Sequence, residues 1–129
     1  MPIEAILDDL DYDLLKEAIM GEADNFKDFY VMVASRRKKE WCDSCCTTGP
    51  LFSDGKLHGA VIKINYEHGS LVATFDFYHE CSHCREYKKD VGVGEKDFTN
   101  DSRFLREQRA DAYAFVKLLK LLLFRGLNK

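Results

Sequence analysis

Four of the five cysteines fall into two close pairs, Cys42/Cys45 and Cys81/Cys84, each with the Cys-x-x-Cys spacing that lets two thiolates hold one zinc ion from the same side. Zinc prefers four tetrahedral ligands, so two such turns complete a site. Four sulfurs leave no open position for water, and the expected ion is therefore structural rather than hydrolytic. Cys46 could replace Cys45, and His58, His79 and His83 lie close enough to the expected ligands to substitute for one or to hydrogen-bond it. The segment from Cys46 to Glu80 has to carry one knuckle back to the other.

That arrangement resembles zinc ribbons and treble-clef zinc domains over Trp41 to Arg85. The resemblance is one of motif and implies a single structural Zn2+ in a small domain. A rubredoxin-type iron centre would carry proline and glycine in both knuckles, which Asp43-Ser44 and Ser82-His83 lack, so zinc is the expected ion.

The elements that would position these ligands can be read from periodicity. Residues 3–20 place Ile3, Ile6, Leu7, Leu10, Leu14, Ala18 and Ile19 at helical spacing, with Gly21 as the stop. A second helix is predicted from Asp24, its N-cap, to Lys39, on the recurrence of Phe26, Phe29, Tyr30 and Val33. Gly49-Pro50 and Asp54-Gly55 mark a loop over 47–56. Residues 59–78 read as two strands joined at His68-Gly69, in a register that pairs Ile64 with Ala73 and Ile62 with Phe75 and sets His58 opposite His79. A charged loop over 86–100 leads to a long amphipathic helix over 101–125. The expectation is a single α+β domain over 1–129: a helical acidic segment (1–40), a zinc-binding hairpin (41–85), the loop and the terminal helix.

Charge is unevenly spread. Residues 1–28 are strongly acidic and residues 103–129 are basic, which can draw the two ends together or present opposite patches to partners. On a helical wheel Arg103, Arg106, Arg109, Tyr113, Lys117 and Lys120 form a stripe able to track a phosphate backbone. Phe104, Leu105, Ala112, Phe115, Val116, Leu119, Leu122 and Leu123 make the natural core face opposite, and Leu118, Leu121 and Phe124 add apolar surface that a second subunit could bury.

No Gly-rich phosphate loop, nucleophile elbow, His-Glu-x-x-His helix or Ser/His/Asp order is made out, so enzyme motifs are absent on inspection. The expected role is a zinc-stabilised binding or regulatory protein acting on a protein or nucleic-acid partner, such as a transcription accessory factor or a viral modulator of host machinery. The alternatives are a treble-clef metal-dependent nuclease using His58, His68 or His79, and a homo-oligomeric structural protein. An acidic N-terminus without a basic and apolar leader gives an intracellular, cytoplasmic expectation with no membrane partner.

Overall fold

The alternating segment Lys56–Asn65 is a β-strand, but its hairpin partner precedes it in the chain instead of following it. In the computed structural model, which describes residues 3–7, 13–27, 29–36, 46–65, 69–96 and 104–127, the elements are β1 (Ile3–Leu7), α1 (Asp13–Glu22), β2 (Tyr30–Arg36), β3 (Cys46–Ser53), β4 (Lys56–Asn65), α2 (Ser70–Lys88) and α3 (Phe104–Leu127). The α+β class and the long terminal helix agree with the sequence reading.

Three local expectations are corrected. Residues 3–7 form a strand, and the predicted helix contracts to α1. The second predicted helix is a short 3-10 turn, Ala23–Asn25, followed by β2. There the β-branched Val31 and Val33 alternate inward, and Phe26 and Phe29 bury their rings ahead of the strand. The hairpin expected over 59–78 is replaced by β3–β4, turning at Asp54-Gly55, where φ is +54° and +74°. Two positive φ angles suit the primed turns that match the twist of paired strands. The segment after Gly69 is helical: α2 buries Ala73, Phe77, Cys81 and Cys84 along one face, a period of three to four and not two.

The sheet has strand order β1-β2-β4-β3, with β1, β2 and β4 parallel and β3 antiparallel at the edge. Close approach of β2 to β4 requires Gly59, because a Cβ there would lie 2.3 Å from the Tyr30 carbonyl oxygen. Val31, Val33, Ala60, Ile62 and Ile64 lie in the buried core, with β4 packed on α2, and each large side chain so buried contributes about 1.5–3 kcal/mol. The helix α2 also touches β3, α1 and α3, so it is the hub of the fold. Its loop returns to the hairpin through Leu57 N donating to Val93 O at 2.8 Å and Glu95 N donating to Gly55 O at 2.7 Å. Among the described residues, no helix is long and apolar enough to cross a membrane.

The terminal helix α3 lies with the opposite face inward from the one its sequence suggests. Ala110 and Ala114 are fully buried, with Tyr113, Leu118 and Leu121 packed beside them, whereas Phe115, Val116, Leu119, Leu122 and Leu123 are exposed. Two small residues one turn apart let α3 sit close on α2, and that close fit sets the rotation.

Candidate metal centre

Residues four apart on a helix share a face, so His79 and His83 project together from α2, next to Glu107 and Asp111, which share a face of α3 by the same rule. The four side chains meet where the helices pack. His79 Nε2 lies 3.2 Å from His83 Nε2 and 2.8 Å from Glu107 Oε2, and His83 Nε2 lies 3.1 Å from Glu107 Oε1. His79 Nδ1 is 2.8 Å from Asp111 Oδ1. The histidines are about five-sixths buried, at 16% and 17% exposure, while Glu107 is half exposed and leaves the cluster open to solvent on the α3 side.

Proton accounting shows what this geometry can hold: a shared proton or a cation. In the tautomer whose Nδ1–H donates to Asp111 Oδ1, the His79 Nε2 carries only a lone pair, and that lone pair faces a second imidazole nitrogen and a carboxylate oxygen. Three acceptors at 2.8–3.2 Å repel unless a proton or a metal lies among them. Zinc–ligand bonds of about 2.0–2.2 Å in tetrahedral geometry hold donor atoms roughly 3.3 Å apart, close to the separations found here. The set is two imidazoles and one carboxylate, with Asp111 orienting the first imidazole from behind.

Glu80 completes the cluster from the next position on α2. Its ligand atom and those of His79 and His83 lie within 4.8 Å of one another, with Oε2 3.8 Å from His79 Nε2. The side chain is buried, and Thr48 on the edge strand β3 donates a 2.6 Å hydrogen bond from Oγ1 to its Oε1. Burial holds the Glu80 carboxyl above the usual carboxylate range, against the opposing effects of the Thr48 hydrogen bond and the two histidines.

The sequence reading marks His79 and His83 as alternative ligands or hydrogen-bonding neighbours of a cysteine site, and His79 as a candidate nuclease residue, and passes over the string that joins them. His79-Glu80-Cys81-Ser82-His83 is a His-Glu-x-x-His segment, and the statement that no such helix can be assigned is corrected by α2. A strand ending at Tyr78 conceals the motif, because residues four apart lie about 13 Å from each other along a strand and only one turn apart on a helix.

The cysteines occupy a different place. Cys81 and Cys84 lie on α2, not in a knuckle turn; both are fully buried, and Cys42 and Cys45 lie outside the described residues. Burial pushes both thiols well above their ordinary range, so they are neutral in the core. Cys46 is on β3, opposite Ile64. His58 is exposed on β4, stacked on Tyr30, and the register that set it opposite His79 does not form.

The basic stripe is largely engaged within the molecule. Arg109 pairs with Glu86 at 3.7 Å, and Tyr113 donates a 2.7 Å hydrogen bond to the buried Glu22, which Asn25 also contacts. Arg85 and Lys117 both lie over the Tyr113 ring. Arg106 is half-buried, Lys120 is exposed, and Arg103 lies outside the described residues. The acidic and basic ends are joined by an ion pair between Arg125 and Glu17 at 3.7 Å. Comparison with protein-family models, with curated proteins and with solved structures finds no match.

Proposed function

We propose that this protein is a zinc-dependent hydrolase acting on peptide bonds, with His79, His83 and Glu107 as metal ligands, Glu80 as general base and Asp111 orienting His79. The observation that carries this reading is the convergence of His79 Nε2, His83 Nε2 and the Glu107 carboxylate beside a buried glutamate on the same helix. Zinc bound by two histidines and one glutamate keeps a position for water, lowers its pKa towards neutrality and polarises a carbonyl.

The protein's own groups supply the rest. Glu80, with its affinity for a proton raised by burial, is poised to take one from the attacking water and pass it to the leaving amine. Thr48 fixes one Glu80 oxygen and leaves the other towards the histidines. Thr48 also sits on β3, the edge strand of the described sheet, so an extended chain adding to that edge would run beside Glu80. Three carboxylates around the site repel a phosphodiester, which favours a peptide over the nucleic-acid substrate of the nuclease reading.

The test is elemental analysis together with hydrolysis of an unfolded protein such as casein. A single zinc equivalent and cleavage that Glu80→Gln lowers by about 10²-fold or more, with zinc retained, are expected. A folded chain that binds no zinc would sink the proposal and return the protein to the reading of a binding module.

A further inference from the structure

The helix α3 has two apolar faces, and among the described residues only one is buried. Its small residues Ala110 and Ala114 pack on α2. Its large ones point away: Phe115 is 63% exposed, Val116 48%, Leu119 47%, Leu122 40% and Leu123 59%. At about 100° per residue these five fall within an arc of about 120°, one continuous stripe centred on Leu119. A monomeric surface seldom carries a contiguous apolar patch of more than a few hundred Å2, and such a patch marks an interface.

We infer that this stripe is the seam of a homodimer, in which α3 of one copy crosses α3 of a second about an axis near Leu119. The spacing is symmetric about that residue, with Val116 and Leu122 three positions away, Phe115 and Leu123 four, and the small Ala112 and Gly126 seven. An antiparallel twofold crossing therefore sets Phe115 against the partner's Leu123 and the small residues against each other, the self-complementarity that a twofold interface demands. Covering the five large side chains removes on the order of 500 Å2 from each copy, and the surrounding polar residues bring this towards the about 800 Å2 per partner of a stable interface.

A membrane surface is the other occupant an amphipathic helix suggests, and charge speaks against it. Asp111 and Glu107 flank the stripe on one side, Arg109 and Arg125 pair with Glu86 and Glu17, and the exposed Lys120 is a single cation on the other rim. An interfacial helix bound to anionic lipid instead needs free cations along the rim of its apolar face. The same flank places the seam beside the metal centre, because Glu107 and Asp111 stand on the edge of α3 that a second copy would border.

Light scattering on the full chain at high micromolar concentration should give twice the chain mass of 14.9 kDa. Leu119→Glu, and independently Phe115→Glu, should give the single-chain mass with unchanged helix content and zinc content. A wild-type chain that stays at the single mass, or a dimer that survives both substitutions, overturns the inference, as does sedimentation of a monomeric wild type with phosphatidylserine vesicles. Zinc content is read on the same samples, so a monomer that holds zinc defeats the dimer alone and a dimer without zinc defeats the proposed function alone.

Discussion

Within six residues of one helix, α2 presents two kinds of ligand in opposite environments. Cys81 and Cys84 point into the apolar core, fully buried and neutral, while His79 and His83 point towards α3 and meet carboxylates. Zinc chemistry needs a basic atom, a route for the ion and an arrangement of several donors. The histidine face meets all three requirements. The cysteine face, as far as its surroundings are described, offers thiols that would have to lose protons inside a hydrophobic cluster.

The widest separation between the two faces comes from exchanging alanine into each. His79→Ala or His83→Ala should abolish zinc binding and leave far-UV circular dichroism unchanged. Cys81→Ala and Cys84→Ala should keep the zinc and lower stability by about 1–2 kcal/mol in urea unfolding through lost packing. Loss of zinc from the cysteine variants, with the histidine variants still loaded, would reverse the comparison and restore the four-thiolate centre.

A smaller effect sharpens the histidine side. Asp111→Asn preserves shape but weakens the acceptor that fixes the His79 tautomer, and zinc affinity measured by chelator competition should fall by about 10–100-fold. An unchanged affinity would mean that Asp111 is only a surface partner of the ring.

The smallest effect belongs to the cysteine side and to pH. Burial raises both thiols in the folded protein above the ordinary thiol value of 9.0, so above that pH the unfolded chain ionises first and binds fewer protons than the native state. Stability should therefore fall as pH rises past about 9, less steeply in Cys81→Ala, and Ellman's reagent should reach Cys81 and Cys84 only after unfolding. Rapid labelling of both thiols in the native protein would place them outside the core.

Several features were legible in the chain before folding. The terminal helix, the turn chemistry of Asp54-Gly55 and the strand character of residues around Ile62 follow from local pattern. Other segments misled for identifiable reasons. Leu71, Ala73, Phe75 and Phe77 alternate as a strand would, yet Ala73 and Phe77 also lie four apart, and packing against β4 and α3 selects the helix. Phe26, Phe29, Tyr30 and Val33 fit a helical period equally well, but parallel pairing with Gly59 and its neighbours makes the segment beyond Phe29 a strand. The His-Glu-x-x-His string was present throughout, and its meaning waited on the conformation of the residues before it.

Sequence by itself determined which atoms were available: two histidines four apart, a glutamate between them, and an acid pair at the same spacing on the terminal helix. Tertiary structure alone decided that Glu107 and Asp111 meet those histidines, that Thr48 reaches Glu80, and that the larger apolar side chains of α3 turn outward. The reason is that periodicity fixes a face within one element, whereas the rotation of one helix on another depends on side-chain volumes in both, here the buried alanines at 110 and 114 against α2.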